Sequence, residues 1–172
     1  MLLTVRLYGD PTLRQPGKRV EVVTSEIGQQ LDDMVETMYQ EVGVGLAATQ
    51  VGIGLRMLVL DEGKGVAGAY LNPAIVDQGG EEVAEEGCLS LPGIYADVAR
   101  AAWVVVSAQD RTGAPIRRRV TGFLARVFQH EIDHLDGVLF IDRLDKVARD
   151  QIKRRIKREG FPEGAVAHAG AL

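Results

Sequence analysis

The chain has 172 residues, 46% of them hydrophobic and 26% charged, with a net charge of −4. That length suits one domain able to bury about 70% of its unfolded surface, and the composition is that of an ordinary soluble globular protein. No apolar run approaches the ~20 residues that cross a bilayer, and a single cysteine, Cys88, excludes an internal disulfide.

The opening Met1-Leu2-Leu3-Thr4-Val5-Arg6 lacks a signal peptide's basic start, long apolar stretch and small-residue cleavage site. The expected location is therefore cytoplasmic, with no membrane partner. Residues Ser25 to Val42 predict the first long helix, capped by Thr24 or Ser25, with Ile27, Leu31, Met34, Met38 and Val42 on one face and Gly43 closing it. Gly43 to Gly52 is too rich in glycine and small residues for a helix interior, and suits a backbone that a ligand or another segment approaches closely.

Short apolar runs at Arg56 to Asp61 and Ala69 to Ile75 predict strands, the second broken or edged by Asn72-Pro73. Glu85 to Gly93 ends a strand-like run in a Pro-Gly turn. Trp103 to Gln109 and Ile116 to Thr121 flank Asp110-Arg111-Thr112-Gly113 and predict a hairpin. Trp103 is expected in the core. Arg100 suits either a peptide carbonyl or a strand end. A helix is expected over about Gly122 to Asp136 and another from Leu144 to Arg158, with a frayed tail over 160–172. Seven basic residues between Lys146 and Glu159 face two acidic ones there. That segment carries +5, which leaves −9 on the remainder. Such a helix is either a solvated face or an RNA-binding surface.

The segment Gln129-His130-Glu131-Ile132-Asp133-His134 is the chemically decisive one. It is an H-E-x-x-H motif, which on a helix sets two imidazoles four residues apart on one face, within reach of one metal ion. A helical wheel puts Val127, Phe128, Ile132, Leu135 and Phe123 on an apolar arc that includes His134 and Glu131, with His130 at its edge. Arg126, Gln129, Asp133 and Asp136 point the other way, toward solvent. A glutamate within a buried stripe is costly unless it is paired or does chemistry.

A catalytic site of this kind needs a third ligand. The zincin continuation H-E-x-x-H-x-x-G-x-x-H fails, because Phe140 stands where the last histidine should be. Glu159, Glu163, His168, Asp142 and Asp145 are weak alternatives. Cys88 is better placed: a lone cysteine is usually a buried hydrophobe, but one at the rim of a turn can present a thiolate.

Three segments together resemble the peptide deformylase family. They are Gly43-Val44-Gly45-Leu46-Ala47-Ala48-Thr49-Gln50, Glu86-Gly87-Cys88-Leu89-Ser90, and Gln129-His130-Glu131-Ile132-Asp133-His134, and Val5 to Arg14 resembles the family's start. The similarity spans roughly 5 to 145. The resemblance implies a bacterial-type enzyme that removes the formyl group from the N-terminal formyl-methionine of newly made polypeptides, by metal-activated water. It implies Cys88, His130 and His134 as metal ligands, Glu131 as general acid/base, and Gln50 with the Leu89 N–H as oxyanion donors. Gly45 would bind an extended substrate through its backbone, and Glu86 and Gly87 would line the same site. Val44, Val127 and the stem of Arg126 are candidates for the wall of the methionine slot. One divalent ion per chain is implied, Fe2+ in the cell, with Zn2+, Ni2+ or Co2+ as substitutes. The ribosome is the partner implied for the basic helix Lys146–Arg158.

The expected architecture is one α+β domain over 1–172, with mostly antiparallel strands around a central metal-binding helix and with N-terminal and C-terminal helices. A monomer is expected. The competing readings are a zincin-type metallo-endopeptidase and a non-catalytic metal- or peptide-binding module. The first needs a third ligand other than Cys88, and the second has no need of Glu131 or Gln50.

Overall fold

Helix α1 (Ser25–Gln40) begins where the Thr24 side chain accepts the N–H of Ile27. The structure, a computed structural model, describes residues 1–162 and 172. The helix ends two residues before the expected Val42, which instead takes a left-handed turn at φ 58°. Gly43 lies close against a side chain from another element: a Cβ there would stand 2.8 Å from Leu89 Cδ1, which would have to shift.

Strands β1 (Gly45–Ala47), β2 (Met57–Asp61) and β3 (Ala67–Gly79) follow, then β4 (Glu82–Cys88), β5 (Leu91–Arg100), β6 (Trp103–Gln109) and β7 (Pro115–Thr121). Five of them form an antiparallel sheet in the order β1-β2-β3-β6-β7, while β4 and β5 form a separate hairpin. Alternation along β2 explains the layering. Leu58 and Leu60 join one apolar cluster with Val104, Val106, Phe128 and Ile132. Met57 and Val59 join a second cluster with Leu31, Met34 and Met38 of α1.

Two expectations about strands are corrected. Asn72-Pro73 does not end β3. Asn72 takes φ 50° and the register shifts between Leu71 and Ala74, so the pair makes a bulge and the strand continues. Asn72 secures the bulge by donating to Val20 O and Gln109 Oε1. Likewise Pro92-Gly93 is not the turn after Cys88. Leu89 and Ser90 make that turn, Cys88 pairs with Leu91, and Pro92 and Gly93 lie within β5.

Helix α2 (Gly122–Leu135) carries the H-E-x-x-H motif, and α3 (Lys146–Glu159) the basic cluster. The central helix is covered on nearly all sides, contrary to the wheel. Arg126, Gln129 and Asp133 are buried, whereas Phe123 is 56% exposed. The β4–β5 hairpin covers the face expected to meet solvent, and that face is polar because it bonds to the hairpin and its flanks. Gln129, for example, donates to Ala101 O and accepts from Ala101 N–H. Trp103 is only partly buried, with the Arg119 guanidinium 4.4 Å above its ring. No residue of α3 is fully buried, though Ile152 and Ile156 pack against the cluster of Leu13, Cys88, Leu139 and Phe140. Of the expected frayed tail, 163–171 lies outside the described residues, while Leu172 is buried. Among the described residues no helix is long and apolar enough to cross a membrane.

Past α2, Gly137 takes φ 77°, and a Cβ there would stand 2.7 Å from Arg14 O. Gly137→Ala is expected to lose about 2–4 kcal/mol from combined backbone and steric strain. Gly28→Ala, at an open position of α1, should gain about 0.5–1 kcal/mol. Thermal unfolding of the two variants checks the opposite signs.

Candidate active site

Two elements deliver three ligand atoms. The H-E-x-x-H spacing puts His130 and His134 on one face of α2, and the end of β4 brings Cys88 against them. His134 Nε2 lies 3.2 Å from His130 Nε2 and 3.3 Å from Cys88 Sγ. All three ligand atoms lie within 4.8 Å of one another, and all three residues are buried. Ligand bonds of about 2.1 Å to nitrogen and 2.3 Å to sulfur at tetrahedral angles would separate nitrogens by about 3.4 Å and nitrogen from sulfur by about 3.6 Å. The two separations at His134 match a divalent ion after shifts of a few tenths of an ångström, and the third stays within the same 4.8 Å.

The imidazoles are prepared for the role. His130 Nδ1 is 2.9 Å from Glu86 Oε1, which leaves Nε2 as the free lone pair. Burial holds both histidines below the usual pKa, and His134 is lowered further by His130. Burial pushes the Cys88 thiol up, against a hydrogen bond from the Ser90 backbone, and the charge of Glu131 raises it further.

Glu86 contradicts its expected place among substrate-binding side chains. Its carboxylate is turned from the cleft and fully occupied: Arg100 Nε at 2.8 Å, Arg100 Nη2 at 2.9 Å and Arg126 Nη1 at 2.5 Å. Burial opposes its ionisation, but the Arg100 and His130 hydrogen bonds outweigh that and hold the carboxyl well below the usual range. Arg100 continues to Asp133 Oδ2 at 2.6 Å, and Arg143 binds the same carboxylate. Arg100 is thus neither a peptide ligand nor a strand cap. Arg126 also donates to Glu82 O and Val98 O, so its charged end is committed to the hairpin.

Glu131 is the opposite case. It is fully buried, yet neither carboxylate oxygen has a hydrogen-bond partner among the described residues. Burial raises its pKa well above the ordinary value, and the charge of Glu86 adds to this. Room for it comes from Gly45 in β1, where a Cβ would stand 3.0 Å from Glu131 Cγ and Oε1. The Gln50 side-chain amide is aimed at the same place, with Nε2 3.7 Å from Cys88 Sγ and 3.1 Å from Ser90 Oγ. Its Oε1 accepts the Ala47 N–H at 3.0 Å, which fixes the amide's direction.

Main-chain groups of Leu89 and Gly87 lie at the end of β4 beside Cys88. Val127 is buried in the cluster against which Val44 packs. The other acidic alternatives are engaged elsewhere: Asp142 binds Arg14, Asp145 caps α3, and Glu159 pairs with Arg155 and Arg158. Glu163 and His168 lie outside the described residues.

The polar network around α2 escaped sequence reading because Glu86, Arg100 and Asp133 are far apart in the chain. The buried charges on α2 were the available signal. Also missed was the N-terminal strap: Arg6 N–H donates to Gln50 O at 2.7 Å and Tyr8 N–H to Ser90 O at 2.8 Å.

A buried Cys-His-His cluster on an H-E-x-x-H helix, with its third ligand from a strand end and a free glutamate beside it, defines a class of metal-dependent hydrolases with an α+β fold. A family model described as polypeptide deformylase matches residues 2–150. The peptide deformylase of Chromobacterium violaceum is 47% identical over 159 residues, which cover 91% of this chain and 95% of that protein. The crystal structure of a Legionella pneumophila peptide deformylase superposes with a TM-score of 0.86 at 41% identity, covering 92% of this chain and 95% of that one. A Synechococcus elongatus peptide deformylase in complex with actinonin gives a TM-score of 0.85 at 41% identity, over 96% and 91% of the two chains. The chain belongs to the polypeptide deformylase family.

Metal uptake should be coupled to the loss of at least one proton. The thiol of Cys88 is raised and the histidines are lowered, so coordination by these three residues expels the thiol proton. Affinity is then expected to rise at least about tenfold per pH unit through the neutral range, as read by competition with a chelator of known affinity. A flat profile would mean that Cys88 is not a ligand.

Proposed function

We propose that this chain removes the formyl group from the N-terminal formyl-methionine of new polypeptides, with Cys88, His130 and His134 holding one divalent ion. The observation that carries the reading is the partnerless carboxylate of Glu131 beside that cluster. A divalent ion held there supplies a Lewis acid that lowers the pKa of a bound water from about 15.7 toward about 7. Glu131 takes the proton from the attacking water and delivers it to the departing amine nitrogen. A carboxyl that burial favours in its neutral form is suited to holding that proton between the two transfers.

Gln50 Nε2 and the Leu89 N–H donate to the oxygen on which charge develops. Gly45 and Gly87 offer main-chain groups to an extended peptide, and Val44 and Val127 wall the slot for the methionine side chain, with the Arg126 stem behind them. A formyl carbon bears only hydrogen beside its oxygen and nitrogen, so a tight site admits it and rejects bulkier acyl groups. The zincin endopeptidase reading finds no support, because no late histidine or glutamate among the described residues reaches the cluster.

The donor set suits several ions, and ferrous iron is our assignment in the cell. We place the enzyme in the cytoplasm as a monomer. Its basic helix Lys146–Arg158 is assigned to ribosomal RNA, since Arg154, Arg155 and Arg158 are exposed while Ile152 and Ile156 anchor the other side.

Anaerobic metal loading followed by formate release from a formyl-methionyl peptide tests the chemistry. Glu131→Ala should retain metal and lose on the order of 10³-fold or more in turnover, and Gln50→Ala about 10²-fold. A loaded protein that cuts internal peptide bonds and releases no formate would overturn the reading. For the ribosome, reversing Arg154, Arg155 and Arg158 to glutamate should abolish salt-sensitive binding without changing turnover of a small substrate. Binding that persists in the triple variant would refute that partner.

A further inference from the structure

Leu172 sits against the strand end that carries Cys88. Its N–H donates to Gly87 O at 3.3 Å, and its main-chain oxygen accepts the Leu89 N–H at 3.2 Å. One residue bonded to both neighbours of Cys88 has the pattern of a strand added in parallel to a sheet edge. Among the described residues that edge is otherwise unpaired, since β4 pairs only with β5. The Leu172 side chain is 1% exposed and joins the apolar cluster that contains Val127, against which Val44 packs.

We propose that the cleft is also a docking surface for the chain's own Leu172, which occupies it in place of the substrate and must leave before the substrate enters. The inference rests on the formyl-peptide reading above, because the groups engaged are those assigned there to the substrate. The Leu89 N–H cannot donate fully to Leu172 and to a developing oxyanion at once. Leucine and methionine also differ little in volume, so a slot for one accepts the other.

An occupant that fills the cleft roughly nine times in ten lowers the apparent substrate affinity about tenfold. No bond is made or broken in this exchange.

The test compares the metal-loaded full chain with Leu172→Asp, Leu172→Gly and Leu172→Met. KM for a formyl-methionyl peptide should fall about tenfold in the Asp and Gly variants with kcat unchanged, and stay near the parent value in the Met variant. Hydrogen exchange at the Leu89 amide should quicken in the same two variants. A peptide with the sequence of residues 163–172, added to Leu172→Asp, should restore the high KM competitively. An unchanged KM in both disrupting variants overturns the proposal, whatever the exchange shows. A KM that depends on protein concentration overturns internal occupancy in favour of exchange between copies. If no form releases formate but the Leu89 amide still deprotects in Leu172→Asp, the substrate reading fails while the docked segment stands.

Discussion

The buried carboxylate of Glu86 is the constraint on which the site depends. It joins β4, through its own backbone, to Arg100 at the end of β5 and to Arg126 and His130 on α2. A buried ion removed from such a set leaves its partners uncompensated, at a typical cost of about 3–5 kcal/mol. The hairpin and the helix are therefore held at hydrogen-bond distances as well as by apolar contact. Cys88 lies two residues beyond Glu86, so the interaction that orients His130 also sets how far the thiol stands from both imidazoles.

Coverage of α2 from both sides follows from the same interaction. The five-stranded sheet takes Val127, Phe128, Ile132 and Leu135, and the hairpin takes the polar face. The charges of Arg126 and Asp133 on that polar face have partners. Among the described residues the buried carboxylate of Glu131 has none, and a glycine at 45 is what lets β1 pass close enough to enclose it. An unpartnered buried carboxylate weakens a fold, so its retention beside three ligand atoms points to chemistry, with stability supplied elsewhere.

What could be read from the sequence was local. The histidines, the glutamate between them, the Thr24 cap and the β6–β7 hairpin all depend on spacing within a few residues. The errors share one cause. The wheel sent Arg126, Gln129 and Asp133 to solvent because it knows one helix and no neighbours, and Phe123 went inward for the same reason. Asn72-Pro73 and Pro92-Gly93 look like breaks in the sequence, yet shifts of register in β3 and between β4 and β5 absorb them, because pairing on either side outweighs a local preference. Glu86 was placed in the cleft for its position in a motif, when its partners lie in other elements.

Two strand edges frame the cleft: β1, paired only with β2 among the described residues, and the end of β4. Exposed edges invite unwanted pairing and are normally blunted or covered. Here the N-terminal strap covers the backbone at Gln50 and Ser90, and Leu172 covers Gly87 and Leu89. Edges used in this way recognise an extended main chain through groups that every polypeptide carries. On the proposed reading, side-chain selection is then confined to the apolar slot next to the reacting amide. An enzyme that must accept the start of nearly any new protein needs that division, in which the backbone is read without regard to sequence and only the first side chain is chosen.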